Sequence, residues 1–238
     1  ELNRTVRLEP GVITEALQNY AKERNSYYPV DFAARGSSQI GGNIATNAGG
    51  VKVLRYGLTR DWVASLKVVT GAGEVLDLNK DLIKNATGFD LRHLMIGSEG
   101  CLGFVTEATM RLTSPPKPLT VLILGIADLD SVMKVFAKFR NELPLTAFEF
   151  FSDVALKTVV DHTHLPKPLG QDYPNYLLIE VENTDASTES AVLEAFEFCV
   201  SEGWVLDGAI AQSEAQARDF WRLREDISEA TAAFSPYK

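Results

Sequence analysis

Three groups of residues in this sequence have the types and spacing to do chemistry. The first is Ile40-Gly41-Gly42-Asn43-Ile44-Ala45-Thr46-Asn47-Ala48-Gly49-Gly50, which sets four glycines and two alanines in eleven positions. A backbone this bare lets a flat or phosphorylated ligand approach main-chain N–H groups closely. Thr46 and Asn47 could add side-chain hydrogen bonds at the ligand's rim. A pair of tight turns around a short buried strand would use the same residues. The second group is Gly97-Ser98-Glu99-Gly100-Cys101-Leu102-Gly103. Its spacing is GxxGxxG and it runs into a strand, unlike the Rossmann GxGxxG, which opens a helix. No GxxxxGK[ST] phosphate loop occurs. The third is Arg224 with Ser228, four apart and so neighbours on a helix. A guanidinium beside a hydroxyl at the border of a buried face suits a carboxylate ligand, to which it offers two parallel N–H donors. A surface salt bridge to Glu225 or Glu229 is the alternative reading.

Composition excludes several other chemistries. A net charge of −9 with no basic run argues against nucleic acid. The longest apolar stretches, such as 119–127, are too short to cross a bilayer, so the chain is not expected to be transmembrane. Cys101 and Cys199 match no metal-ligand spacing and read as two buried, reduced thiols. His162-Thr163-His164 has no acidic or thiol companions, so no metal ligands are identified in this chain. The sequence begins Glu1-Leu2-Asn3-Arg4 without Met or a targeting pattern, which leads us to expect an upstream part.

The elements that must hold these groups fall on two sides of Ser114-Pro115-Pro116-Lys117-Pro118, where prolines stop both helix and central strand. Before it, the spacing predicts a short strand at 6–8 followed by a turn, a helix over 14–24 and a hairpin. Strands 66–69 and 75–78 flank Gly71-Ala72-Gly73 in that hairpin, and a further strand covers 103–112. After it come strand 119–127, helix 130–142, strand 145–151, helix 152–161, a loop, strand 176–182, helix 187–201 and strand 204–210. A single helix over 214–233 ends the series, capped by Ser213 with Gln216. Phe220, Leu223, Ile227 and Phe234 form its apolar stripe. Two βαβ-like halves imply an antiparallel sheet with helices on one face, an α+β layer.

Taken in order, Pro29-Val30-Asp31, Gly36, 40–50, Leu54-Arg55-Tyr56-Gly57 and Gly97–Thr106 resemble the FAD-linked oxidoreductases of the vanillyl-alcohol oxidase and p-cresol methylhydroxylase superfamily. GGNIATNAGG, RYG and GSEGxLGFVT are similar to its D-lactate, glycolate and D-2-hydroxyglutarate dehydrogenase branch. The resemblance implies an α+β architecture: residues 1–113 as the second half of a PCMH-type FAD-binding domain, and 114–238 as a ferredoxin-like α+β substrate cap, incomplete at its C-terminus. The pyrophosphate-loop subdomain is expected before Glu1, and the catalytic base and a histidine-rich metal motif after Lys238. FAD would be held non-covalently, because no histidine precedes His93, itself read as a surface polar residue. By resemblance, the cofactor is lined by Pro29, Gly36, Gly41, Gly42, Thr46, Asn47, Gly49, Glu99, Gly100, Gly103 and Val105. Position 101, commonly Thr in this motif, is Cys101 here.

The same resemblance implies that Arg224, Ser228 and Lys238 hold a substrate carboxylate. In the cap, Phe148-Glu149-Phe150-Phe151 is read as a core strand with one solvent-facing carboxylate, or as a strand lining the flavin pocket. The implied reaction is oxidation of a D-2-hydroxy acid to the 2-oxo acid, with electrons leaving to an acceptor protein or quinone. An oxidase that uses O2 is the neighbouring alternative, and a flavin-free, non-catalytic scaffold or subunit is the rival from another class. A divalent metal in the full-length enzyme and a homodimer are compatible with the family. The expected location is the cytoplasm, or the mitochondrial matrix in a eukaryote.

Overall fold

The computed structural model describes residues 3–234, and the chain divides after Pro115 into two compact units. The first unit contains β1 (Thr5–Leu8), α1 (Thr14–Lys22), a 3-10 turn at Ala33–Gly36, α2 (Ile40–Thr46), α3 (Val53–Tyr56) and α4 (Thr59–Trp62). They are followed by β2 (Val63–Val69), β3 (Val75–Leu78), α5 (Arg92–Met95) and β4 (Phe104–Arg111). The strands form one antiparallel sheet in the order β1-β4-β2-β3. Leu17 and Ala21 of α1 and Ile40 and Ile44 of α2 pack with Leu66, Val68, Ala108 and Met110 in one core.

The stretch 40–46 is helical, so the tight-turn and strand alternative does not hold. Ile40 and Ile44, one turn apart, are both completely buried. Burying side chains of this size stabilises by about 1.5–3 kcal/mol each, which outweighs the roughly 1 kcal/mol helix cost of each glycine.

The second unit contains β5 (Leu119–Ile126), α6 (Leu129–Glu142), β6 (Leu145–Ser152), α7 (Asp153–Thr163), β7 (Asn175–Glu182), α8 (Thr188–Ser201), β8 (Val205–Ile210), α9 (Glu214–Glu225) and α10 (Ile227–Phe234). Its sheet is antiparallel in the order β6-β7-β5-β8, the strand order of a ferredoxin-like fold.

The expectation of helices on one face is corrected here. Leu122, Leu124 and Ile126 share a core with Val135 and Phe139 of α6 and Val192, Ala195 and Cys199 of α8. On the opposite face, Val121, Ile123 and Leu178 pack with Leu156 and Val159 of α7, Phe220 and Leu223 of α9 and Ala230 of α10. The physical reason lies in β5 itself: 121–126 is buried at every position, and only a strand covered on both faces requires that.

Ser213 caps α9 by accepting from Gln216 N at 3.2 Å, and Gln216 Oε1 accepts in turn from Gln212 N at 2.8 Å. The predicted single helix is two, α9 and α10, separated at Asp226. Phe220 and Leu223 are buried, whereas Phe234 is 63% exposed and lies outside the expected stripe. Cys199 is buried as expected and Cys101 is exposed; neither is in a disulfide.

Candidate functional site

The two glycine segments of the first unit form one wall. Asn43 Nδ2 donates to Thr14 Oγ1 at 2.7 Å and ties α2 to α1. At the end of α2, Asn47 takes the left-handed conformation (φ +50°), which terminates the helix. The helix's last carbonyls are then satisfied by the second segment. Gly97 N donates to Ile44 O at 3.0 Å, and Glu99 N donates to Ala45 O at 2.9 Å. Glu99 is itself left-handed (φ +50°), a rare conformation for this residue type that the two contacts hold in place.

This wall borders a cavity of about 420 Å3. Gly41, Gly42, Glu99, Gly100, Gly103 and Val105 line it, together with Pro10, Gly11, Gln39, Ala45, Met95, Ser98 and Phe104. Beyond the adjoining residues and, at Gly42, the backbone of its own helix, a Cβ built at Gly11, Gly42 or Gly100 would meet nothing within 4 Å. Packing therefore does not demand glycine at Gly11 or Gly42, and bare backbone faces open space there. Gly100 has the further constraint of a positive φ, +81°. Gly41 and Gly103 are glycine for a different reason. Their Cβ atoms would lie 2.5 Å from Pro10 Cβ and 2.6 Å from Val68 Cγ1.

The cavity suits the uncharged portions of FAD, a ring or the ribityl chain. Its size falls in the ordinary range for ligand sites, and no Lys or Arg lines it to meet a pyrophosphate.

Five of the residues expected at the cofactor stand away from this cavity. Pro29 is buried beside Tyr28, whose phenol is fully enclosed and raised in pKa by burial. Gly36 ends the exposed 3-10 turn. Thr46 Oγ1 donates back to Gly42 O at 3.0 Å, and Asn47 Oδ1 accepts from Arg60 N at 3.0 Å. Both side chains thus have work inside the protein. A Cβ at Gly49 would lie 3.0 Å from Leu58 Cδ2 and 3.1 Å from Val53 Cγ2, so Gly49 serves close packing. His93 is exposed, with Nδ1 3.4 Å from Arg60 Nη1.

In the second unit, Arg224 leaves the last turn of α9 and its Nη2 lies 2.8 Å from Glu149 Oε2 on β6. Glu149 is therefore not the solvent-facing carboxylate that the alternation suggested; its side chain is 17% exposed. The partner is a strand residue and not Glu225 or Glu229. Arg224 Nε is buried and has no hydrogen-bond partner. Ser228 is exposed at the start of α10, beyond the break at Asp226. Lys238 lies outside the described residues.

Sequence reasoning missed Glu180, which is 2% exposed on β7. Its Oε1 accepts from Thr146 Oγ1 and its Oε2 from Trp221 Nε1 at 3.0 Å. An acidic residue inside an apolar run, Leu177-Leu178-Ile179-Glu180-Val181, was the available signal. Among the described residues, no group of three or more His, Cys, Asp or Glu could hold a metal. No described helix is long and apolar enough to cross a membrane.

Residues 1–79 match the family described as FAD binding domain, and residues 115–238 match the family described as FAD linked oxidases, C-terminal domain. The chain belongs to the FAD-linked oxidase family. It is 57% identical over 238 residues to a D-2-hydroxyglutarate dehydrogenase of Stutzerimonas stutzeri, a match covering 100% of this chain and 51% of that protein. With the mitochondrial D-2-hydroxyglutarate dehydrogenase of Rattus norvegicus it is 37% identical over 225 residues, 93% of this chain and 42% of that protein.

The chain thus spans about half the length of the curated relatives it matches. Its fold is shared with an alkyldihydroxyacetonephosphate synthase, at TM-score 0.67 and 19% identity over 95% of this chain and 43% of that one. It is shared equally with a substrate-bound p-cresol methylhydroxylase, at TM-score 0.67 and 13% identity over 94% of this chain and 48% of that one.

Proposed function

We propose that this FAD-linked oxidase chain is part of a dehydrogenase that oxidises a D-2-hydroxy acid, of the D-2-hydroxyglutarate type, to the 2-oxo acid. The observation that carries this reading is the 57% identity, in a match that runs the entire length of the chain and so spans the stretches that hold the glycine cradle and α9. Bound FAD supplies the two-electron acceptor for the hydride leaving substrate C2. The cradle formed by Gly42, Gly100 and Val105 would receive an uncharged part of it, since these residues line the cavity.

Arg224 is assigned to the substrate carboxylate. A guanidinium that is one-third exposed keeps enough water away to make a charge-assisted bond strong, and leaves an edge for a ligand to reach. Ser228 adds a hydroxyl to the same carboxylate, and Lys238 a further cation. Holding the carboxylate fixes C2, and orientation of that kind lowers the barrier to hydride departure. We assign the hydroxyl proton to a base outside residues 1–238. The electrons pass on to a protein or quinone acceptor, and the enzyme acts in the cytoplasm or, in a eukaryote, in the mitochondrial matrix.

The complete protein should purify yellow. Anaerobic addition of D-2-hydroxyglutarate should bleach its flavin absorbance, while the L-enantiomer should leave it unchanged. A colourless protein, or bleaching by neither acid, would end this reading.

A further inference from the structure

Arg224 reaches from the last turn of α9 to β6, where Glu149 meets it at 2.8 Å. Glu149 shares its face of the strand with Phe151, which is buried in the same core as Leu223 of α9. The two charged side chains are 34% and 17% exposed, so water screens the pair less than it would on an open surface. Arg224 Nε is enclosed and unpartnered, which leaves only the terminal nitrogens for a ligand. One of those, Nη2, is held by Glu149. A ligand carboxylate that reaches this edge therefore shares its cation with a second anion at close range, and like charges this near repel.

We propose that Glu149 is a positioning residue that acts through Arg224, an internal counter-carboxylate that weakens the arginine's grip on the carboxylate of substrate and product alike. The inference rests on the reading of Arg224 as the carboxylate-binding residue. Its chemical logic follows from the reaction. The hydroxy acid and the oxo acid carry the same carboxylate, so once C2 is positioned any further strength in that grip acts equally on both and adds nothing to the hydride step. A guanidinium without its counter-charge would hold the product as firmly as the substrate and slow its departure. Glu149 sets that grip low.

The test uses the complete flavoenzyme. Glu149→Gln keeps an oxygen that can accept from Nη2 and removes only the charge. The KM for D-2-hydroxyglutarate and the inhibition constant of its 2-oxo acid should both fall about three- to tenfold, as expected for removing a nearby like charge from a partly screened site. The rate of flavin reduction at saturating substrate should stay at the wild-type value. Glu149→Met, uncharged and of similar length, should reproduce the fall even if the amide variant proves unstable.

A KM that is unchanged or raised in both variants, at wild-type flavin content, overturns the inference. So does a fall that persists when Glu149→Gln is combined with Arg224→Ala, because the effect must travel through the guanidinium. Arg224→Ala alone separates the two levels. If it leaves KM untouched, the arginine assignment fails and this inference fails with it. If it raises KM while Glu149→Gln does nothing, only the role of Glu149 is lost.

Discussion

In the first unit, Gly42 and Gly100 turn bare backbone toward a cavity of about 420 Å3, with no cation along its lining. In the second, Arg224 and Glu149 meet as charges at 2.8 Å, and Trp221 donates to the enclosed Glu180 at 3.0 Å. On the proposed function, one region would recognise by the absence of side chains and the other by their pairing. The difference teaches that the two regions should respond to opposite kinds of change. The cradle should respond most to added volume, whereas the arginine edge should respond most to charge and tolerate modest changes in shape.

The sharpest break would come at Gly50, where backbone and packing coincide. Its φ is +99°, and a Cβ there would lie 2.1 Å from Asp31 O. Gly50→Ala should therefore cost upwards of about 3 kcal/mol, since the carbonyl has to move and the left-handed region is strained for alanine. Urea unfolding followed by circular dichroism measures it. Wild-type stability would mean that this stretch tolerates volume and that the contrast with the second unit is overstated.

Next in size is Arg224→Ala in the complete enzyme. It should lower kcat/KM for D-2-hydroxy acids by about 10- to 150-fold, the equivalent of roughly 1.5–3 kcal/mol for a charge-assisted bond. Arg224→Lys should restore part of the loss, because an ammonium keeps the charge and lacks the planar fork. Flavin content should not change. Loss of activity wholly accounted for by loss of flavin would move Arg224 to the cofactor side.

The smallest expected change in stability is at Gly42, and there it is the contrast that matters. Gly42→Val should alter stability of the flavin-free form by less than about 1 kcal/mol, because its Cβ enters open space and valine propagates a helix at least as well as glycine. FAD affinity should nevertheless drop tenfold or more, at roughly 1.4 kcal/mol per decade, once a branched side chain occupies the cradle. Equal losses in stability and affinity would show that Gly42 serves the fold, as Gly41 and Gly49 do.

Much of this architecture could be read from periodicity. Strands β2, β3, β5, β6 and β7 lie within a few residues of their predicted limits, because alternation and apolar runs are local signals. Helix α2 was harder to see. Ile40 and Ile44 have helical spacing, yet two glycines and a threonine between and after them suppress the local preference, and the helix depends on a sheet contributed by residues 63–111. The partner of Arg224 was beyond local reasoning, since Glu149 lies on another element far earlier in the chain.

The glycines show the same limit at finer scale. Spacing marked Gly41, Gly42 and Gly49 as equivalent. Only the neighbours supplied by Pro10, Leu58 and Val53 distinguish a glycine that makes room for protein from one that leaves room for a ligand.

The bonds from Gly97 and Glu99 to the end of α2 have a dynamic consequence. Because each segment closes the other's backbone, neither is free to move alone, and the amides of Gly97 and Glu99 can exchange with solvent only when α2 releases its carbonyls. Hydrogen exchange across 40–50 and 97–103 should accordingly follow a single opening event. A receptor that opens and closes as one piece is already in its binding shape when a cofactor arrives. Little chain ordering remains to be done on association, and the rate of cofactor capture should be set by encounter and not by loop closure.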